Sequence, residues 1–235
     1  MTRQHFKVLR YLATSKKWDF FMFVEIGVDR VQHAFWKYYD PQHHKYEPGN
    51  PYENVIRDYY KLVDEELGLL LKQVPEDTVI VIASDHGAKA MKGAFCVNQW
   101  LIEEGYLKLE EEPKRPGVDL DELKIDWSKT IAWAWGGYYS RIFINLKGRE
   151  PKGTVDPRDY DSVLEQLRRD LRSIRGPNGE RWETKVYRPE ELYPVVRGDP
   201  PDLIVYFDDL YWRAAGTLGW PSNYLPENDR GPDDA

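Results

Sequence analysis

Two stretches of the chain are rich in apolar, aromatic and β-branched residues, and each stops at an acidic residue. The first extends from Trp18 to Val28 and the second from Thr78 to Ala83. Runs of this kind are typical of strands that are buried on both faces of a parallel sheet covered by helices. We therefore predict that residues 19–28 and 78–83 form strands of one sheet.

Between these runs, apolar residues recur at intervals of three and four, which predicts amphipathic helices. The predicted helices span residues 5–16, 29–39, 52–74, 94–104, 157–174 and 189–193. Further strands are predicted at residues 130–135 and 140–146, which form a hairpin, and at 185–187 and 202–207. A strand–helix–helix–strand order predicts a parallel crossover, so the fold class is α/β, a three-layer α/β/α sandwich with a mainly parallel sheet.

Composition divides the chain into four parts. Residues 1–109 hold both apolar runs and form the first part of the predicted α/β core, and residues 129–219 form the rest of it. Residues 110–128 are charged and interrupted by proline, which predicts an exposed excursion. Residues 220–235 are rich in Pro, Gly, Asn and Asp and are predicted to be a C-terminal loop.

Charge and cysteine content narrow the range of functions. The 235 residues carry a net charge of −7, and the sequence contains no cluster of Lys and Arg residues. Because nucleic-acid-binding surfaces are normally basic, no such surface is predicted. The single cysteine, Cys96, excludes an internal disulfide framework and favours a reducing compartment. No run approaches the ~20 apolar residues of a membrane span, and the first twenty residues are too charged for a signal peptide. A cytoplasmic location is therefore predicted.

An aspartate and a histidine follow each apolar run. Asp29 and His33 are four residues apart, so they share one face of the predicted helix. Asp85 and His86 are adjacent, and Gly87 permits a tight turn that lets them converge. Because the carboxyl ends of parallel strands meet at one edge of a sheet, the four residues are predicted to lie in one site of the 1–109 part. Mixed oxygen and nitrogen donors suit zinc, manganese or iron.

Each pair also has a simpler interpretation. Asp/His pairs at helical spacing occur on many surface helices, and Asp-His-Gly is common turn chemistry in α/β proteins. The occurrence of both pairs at predicted strand ends, in this order, favours the metal site. His43 and His44 lie in a polar loop flanked by proline, and a solvated role is predicted for them.

Other charged residues leave alternatives open. Lys89 and Lys92 follow the second pair and either contact a phosphate or belong to a solvated loop. Arg141, in an otherwise apolar strand, is either an edge residue or a phosphate contact. Asp208 and Asp209 end the strand at 202–207 and are predicted to be structural or loop-capping residues.

The stretch from Asp29 to His33 resembles the Asp-three-residues-His motif of the alkaline phosphatase superfamily, and Ser84 to Gly87 resembles its Asp-His-Gly motif. Residues 136–151 and 228–235 are similar to microbial members of the type I phosphodiesterase/nucleotide pyrophosphatase branch and to related phosphohydrolases and phosphomutases. The resemblance implies an alkaline-phosphatase-like fold and metal-dependent hydrolysis of phosphate esters or diesters, with a nucleotide-like small molecule as substrate.

The resemblance also implies two divalent metal ions, with zinc or manganese expected. Asp29 and His33 would hold one ion together with a further histidine, and Asp85 and His86 would hold the other together with an early aspartate and a Thr or Ser nucleophile. In the family the early aspartate and the nucleophile belong to a segment before the first strand; we find no such segment in this sequence, and no histidine follows His86. We therefore expect the C-terminal part of a longer enzyme, incomplete at both ends, that lacks the catalytic nucleophile, requires an N-terminal segment as partner and is inactive alone.

Two other functions remain compatible with these residues. A phosphomutase would share the metal motifs and differ in the part that covers the substrate. A non-catalytic domain would use the same fold for binding or assembly and would not need the metal ions. An assay that compares phosphate transfer within a sugar phosphate with release of free phosphate would distinguish a phosphomutase from a phosphohydrolase. Loss of metal binding would favour the non-catalytic domain.

Overall fold

The computed structural model describes residues 1–227, which form two compact units. The first unit contains residues 1–90, and the second contains residues 91–227 of the described chain. The predicted boundaries at residues 109, 128 and 219 stay predictions, because they separate stretches by composition and not by compactness.

The first unit contains three helices, close to where periodicity predicts them. They are α1 (Thr2–Ser15), α2 (Gly27–Tyr39) and α3 (Val55–Leu71). The apolar faces of α1 and α3 form a small core with the buried residues Phe6, Leu9, Ala13 and Leu70. Phe21 and Phe23, from the segment between α1 and α2, pack against this core. The core fixes the segment that leads directly into α2.

The two apolar runs do not form strands, so this prediction is wrong for the described structure. In the first run, Phe20 and Met22 are exposed while the alternate residues Phe21 and Phe23 are partly buried. In the second run, Val79 and Val81 are also exposed. A strand is defined by hydrogen bonds to a neighbouring strand, and no described strand pairs with either run. The predicted parallel crossover is therefore absent from the described residues.

The second unit contains two sheets and three helices. Its elements are β1 (Gly93–Cys96), α4 (Val97–Glu103), β2 (Ala132–Trp135), β3 (Ser140–Ile144), α5 (Tyr160–Ser173), β4 (Lys185–Tyr187), α6 (Pro189–Leu192), β5 (Leu203–Tyr206), β6 (Trp212–Ala215) and β7 (Tyr224–Leu225). The strand orders are β6-β1-β7 and β2-β3-β5-β4. Strands β1 and β6 pair in parallel and the other pairs are antiparallel. The α/β class is confirmed, with a mixed three-stranded sheet and an antiparallel four-stranded sheet.

The strands that hydrophobic patterning predicts in the second unit are confirmed in β2, β3, β4 and β5. The predicted helix at 94–104 begins only at Val97, because residues 93–96 form a fully buried strand that contains Cys96. Strands β6 and β7 were not predicted. Of the predicted C-terminal loop, Tyr224 and Leu225 belong to β7, and residues 228–235 lie outside the described part.

The main core of the second unit lies between the four-stranded sheet and α5. Alternate strand residues point inward, among them Ala132, Ala134, Ile142, Ile144, Leu203 and Val205, and pack with Leu164, Leu167 and Leu171 of α5. The charged 110–128 segment also contributes to burial, since Val118 and Leu120 lie inside. Because successive residues of a strand point to opposite faces, the remaining strand residues lie on the other face of the sheet, and several of them are aromatic.

A buried carboxylate secures the end of β3. The Asp202 side chain accepts hydrogen bonds from Arg149 Nη1 and Nη2 at 2.8 and 2.7 Å, from the Tyr160 hydroxyl at 2.6 Å and from the Ile144 backbone N–H at 2.6 Å. Charge-assisted hydrogen bonds of this kind satisfy the carboxylate where water is excluded. Asp202 thereby fixes the turn that follows β3.

The longest described helix is shorter and more charged than a membrane-spanning helix. Helix α3 has 17 residues and includes several charged side chains, whereas a spanning helix needs ~20 mostly apolar residues. Within the part of the chain that the structure describes, no helix combines the length and apolarity needed to cross a membrane.

Glu66 connects α3 to α1 by two ion pairs. Its side chain is only 5% exposed and accepts hydrogen bonds from Arg10 Nη1 at 2.6 Å and from Arg3 Nη1 at 3.0 Å. The hydrogen bond from Arg10, supported by that from Arg3, lowers the pKa of the Glu66 carboxyl below its ordinary value of 4.5. The ionised form of Glu66 therefore stabilises the folded first unit.

This arrangement predicts an acid-dependent loss of stability. Because the pKa of Glu66 is lower in the folded than in the unfolded state, its contribution is present above pH 4.5 and disappears as the pH falls through the lowered value. The free energy of unfolding, measured by urea denaturation, should be smaller for Glu66→Gln than for wild type at neutral pH. The two should converge in acid.

Glu65→Gln is the matched control, because Glu65 is an exposed neighbour on α3 whose side chain has no ion-pair partner among the described residues. We expect it to match wild type at both pH values. A deficit in Glu66→Gln that is equally large at neutral and acid pH would show that ionisation of Glu66 does not contribute.

Candidate metal centre

Asp29 and His33 lie one turn apart at the start of α2. The helix begins at Gly27, so Asp29 is in the first turn, where a negative charge is favoured by the helix dipole. Asp29 Oδ1 lies 3.2 Å from His33 Nε2. The helical spacing therefore places a carboxylate and an imidazole in direct contact.

His86 reaches the same carboxylate from the second motif. His86 Nε2 lies 4.0 Å from Asp29 Oδ1 and 3.7 Å from Asp85 Oδ2. The structure thus brings His33 and His86 to one side chain, Asp29, and places Asp85 beside His86. The Asp85 side chain is 90% exposed and the His86 side chain 62% exposed, so this side of the cluster faces solvent.

Backbone contacts set the tautomer of His86. Its Nδ1 lies 2.9 Å from the carbonyl oxygen of Gly87, and the Ser84 hydroxyl donates to the carbonyl oxygen of His86 at 2.6 Å. Because a carbonyl oxygen only accepts, Nδ1 carries the proton in this contact. In the neutral imidazole, Nε2 then has a free lone pair directed toward the two carboxylates. A metal-binding histidine commonly has this arrangement, with its other nitrogen bound to a carbonyl or carboxylate.

The same contacts favour protonation of His86 when no cation is bound. The hydrogen bond to the Gly87 carbonyl and the charges of Asp85 and Asp29 raise the pKa of His86 above its ordinary value of 6.5. A bound proton and a metal ion compete for the same Nε2 lone pair, since metal ligation requires the neutral imidazole.

The donor atoms are of the types that metal ions bind. The distances between neighbouring donors are close to the distance between two ligands of one ion. Two ligands of a tetrahedral zinc ion, each ~2.0–2.1 Å from it, are about 3.3 Å apart, and the observed contacts between neighbours are 3.2, 3.7 and 4.0 Å. Among residues 1–227, however, no three His, Cys, Asp or Glu side chains are already grouped around one point. The residues are therefore neighbours whose side chains do not converge.

Glu25 fixes the first residue of α2 by hydrogen bonding, a role that the sequence pattern does not predict. Its Oε1 accepts hydrogen bonds from the Gly27 backbone N–H at 3.0 Å and from the Tyr59 hydroxyl at 2.9 Å, and its Oε2 lies 3.3 Å from His5 Nδ1. Burial raises the pKa of Tyr59, which keeps its hydroxyl protonated as a donor. The one signal in the sequence is an acidic residue inside an apolar run.

His43 departs from the solvated role predicted for the two loop histidines. The side chain is buried, its ring stacks on that of His44 with centroids 4.6 Å apart, and its Nδ1 accepts from the Lys45 backbone N–H at 3.1 Å. These contacts hold a loop in place.

The second unit contains Lys92 and Arg141, for which a phosphate contact is one of two alternatives left open by the sequence. Lys92 Nζ forms an ion pair with Asp208 Oδ2 at 2.9 Å and lies over the Tyr211 ring at 4.4 Å. Arg141 is exposed on β3, and its Nη2 lies 3.5 Å from the carbonyl oxygen of Gly136. Lys92 thus has a structural partner, and Asp208 has the structural role predicted for it.

The chain belongs to the type I phosphodiesterase/nucleotide pyrophosphatase family, whose model matches residues 2–233. No curated protein and no solved structure gives a significant match. The family match covers both Asp/His motifs and confirms the resemblance. Phosphodiesterase or nucleotide pyrophosphatase chemistry is therefore the general function of the family to which the chain belongs.

Gly27 gives a test of how the start of α2 is held. A Cβ at this position would overlap the Tyr59 hydroxyl and crowd Glu25 Oε1. We expect Gly27→Ala to disrupt the hydrogen bonds among these residues and to lower the thermal unfolding temperature measured by circular dichroism, because the new methyl group overlaps the contact that holds the start of α2.

Gly68→Ala is the matched control, because a Cβ there meets no other atom within 4 Å. Gly68 lies inside α3, where alanine is favoured over glycine by ~0.5–1 kcal/mol. This variant should be slightly more stable than wild type. Wild-type stability in Gly27→Ala would contradict the role assigned to the Glu25–Tyr59 contact.

Proposed function

We propose that Asp29, His33, Asp85 and His86 bind divalent metal ions, zinc or manganese, in a phosphohydrolase that acts on nucleotide-like phosphate esters or diesters. The contact between Asp29 and His86 carries this proposal, because it joins two motifs from distant parts of the chain. Family membership supports the reaction class.

The residues divide the task of cation binding between charge and geometry. Asp29 supplies an anionic oxygen to which both imidazoles are close, and the Gly87 carbonyl keeps the lone pair of His86 Nε2 free. Asp85 adds a second carboxylate at the side exposed to solvent, where a phosphate group can approach. When bound, a divalent ion would stabilise the charge that develops on phosphoryl oxygens.

A purely structural role explains less of this geometry. An ion pair between Asp29 and His33 would satisfy both side chains and would stabilise α2 by a few tenths of a kcal/mol, about 0.3–0.5. It would not require a second imidazole on the same carboxylate, nor a backbone carbonyl that selects the tautomer of His86. A cation site accounts for all three features together.

The four proposed ligands include no hydroxyl nucleophile. The adjacent Ser84 hydroxyl donates to the carbonyl oxygen of His86 and so supports the loop. We therefore assign metal and phosphate binding to this cluster and expect little turnover of a phosphodiester by this chain alone. Zinc-dependent hydrolysis that Asp85→Ala abolishes would overturn that expectation while supporting the assigned ligands.

Calorimetry with zinc and adenosine monophosphate tests the proposal directly. The purified chain should bind zinc, and Asp29→Ala or Asp85→Ala should weaken zinc binding at least about tenfold, since each removes an anionic donor. Adenosine monophosphate should bind the zinc-loaded chain and should no longer bind after chelation with EDTA.

Asp64→Ala provides the control, because Asp64 is an exposed carboxylate on α3 that forms no hydrogen bond or ion pair with another residue in the described range. Its zinc and nucleotide affinities should equal those of wild type. Nucleotide binding that survives EDTA, or zinc binding that is unchanged in Asp29→Ala and Asp85→Ala, would contradict the proposed site.

A further inference from the structure

The outer face of the four-stranded sheet contains a pocket that the metal chemistry does not use. The pocket has a volume of about 560 Å³, within the range of small-molecule sites, ~300–1,000 Å³. Three of its lining residues are tryptophans, Trp127, Trp133 and Trp135. Small-molecule pockets are typically aromatic with a few polar groups at defined places.

The strand pattern explains why two of these side chains face outward. In β2 the sequence alternates Ala-Trp-Ala-Trp, so Ala132 and Ala134 are buried in the core while Trp133 and Trp135 occupy the opposite face. Trp135 is 42% exposed. Trp133 is held by stacking on Phe143 of β3, with centroids 5.5 Å apart and an interplanar angle of 17°.

Trp127 meets this face at a right angle. Its ring centroid lies 5.1 Å from that of Trp133, and the two planes are inclined by 85°. The buried side chain of Asn145 holds this wall in place, because its Nδ2 donates to the backbone carbonyls of Trp127 at 2.9 Å and of Lys152 at 3.0 Å. Two sides of the pocket are therefore fixed by one amide group, and the site is preformed.

Polar groups at the pocket remain available for a ligand. None of the three indole N–H groups donates a hydrogen bond to another residue within the described range, and the Asp121 carboxylate and Lys152 ammonium have no ion-pair partner there. Tryptophan N–H and lysine donate only, and a carboxylate accepts. The pocket thus presents flat aromatic surfaces, several donors and one acceptor.

The charges at the pocket disfavour a cationic ligand. Asp121 and Lys152 carry opposite charges, and the second lining carboxylate, Glu150, is paired with Arg149 Nε at 3.0 Å. An aromatic cage for a quaternary ammonium would be expected to carry an excess of negative charge beside the rings. Here the lining holds two carboxylates and one ammonium group, and because Glu150 is paired with Arg149, the unpaired lining charges are one negative and one positive.

We propose that this pocket binds a saccharide by stacking a pyranose ring on the tryptophan faces. The C–H face of a pyranose is apolar and matches an indole surface, while its hydroxyl groups both accept and donate hydrogen bonds. These hydroxyls accept from the indole N–H groups and Lys152 and donate to Asp121. The inference is independent of metal binding, because every residue that it uses lies in the second unit.

The test uses the full chain labelled with ¹⁵N and titrated separately with maltotriose, cellobiose and N,N′-diacetylchitobiose into the millimolar range. Among the indole N–H signals of the nine tryptophans, those of Trp127, Trp133 and Trp135 should shift with at least one sugar. Trp135→Ala should weaken that binding about tenfold, an effect comparable to the loss of one aromatic stacking contact, and Asp121→Asn should also weaken it.

Tyr193→Ala is the control, because Tyr193 is an exposed aromatic residue outside the pocket lining. It should bind the same sugar as wild type does, and circular dichroism should show that all variants are folded. The proposal is overturned if none of the three sugars shifts these indole signals, or if Trp135→Ala binds as tightly as wild type. Shifts produced by tetramethylammonium but by no sugar would likewise overturn it in favour of a cation site.

Discussion

The Asp29 carboxylate lies within 4.0 Å of two imidazoles, and the account of the first unit depends on that position. His33 is placed by helical spacing, whereas His86 is placed by the loop from Ser84 to Gly87, whose own hydrogen bonds orient the imidazole. Two unrelated local structures therefore each bring an imidazole next to the same carboxylate. Glu25 fixes the position of that carboxylate, because it accepts a hydrogen bond from the first residue of α2.

The helices and the Asp/His pairs could be predicted because both depend on local sequence. Periodic apolar residues produce an amphipathic helix wherever a neighbour covers its face, and α1, α2, α3 and α5 lie where this pattern is strongest. The spacing of Asp29 and His33 similarly follows from one helical turn. These features require no knowledge of distant contacts.

The remaining features depend on partners that local sequence does not identify. The runs at 19–28 and 78–83 have strand-like composition, but a strand forms only with a paired neighbour, and neither run has one in the described structure. Glu25 and Tyr59 form their contact across 34 positions. Strand β1 lies where a helix is predicted; all four of its residues are buried, so its sequence lacks the apolar–polar alternation that marks a half-exposed strand.

In the second unit, the alternation of residue types along one strand produces the aromatic surface of the proposed ligand pocket. The alternation of alanine and tryptophan in β2 places small residues in the core of the second unit and large rings on the opposite face. The contacts of Asp202 and Asn145 then fix the turn after β3 and the wall beside it. An exposed and rigid aromatic face is thus built on the same strand that contributes small residues to the core.

Nitrogen chemical shifts of the five histidines test the central claim most directly. In a chain labelled with ¹⁵N-histidine, zinc should shift the Nε2 signals of His33 and His86 together, while the signals of His5, His43 and His44 stay unchanged. The same titration of Asp29→Asn should need a higher zinc concentration for both shifts. If zinc shifted only one of the two histidines, or shifted His43 and His44 instead, the two motifs would not form one metal centre.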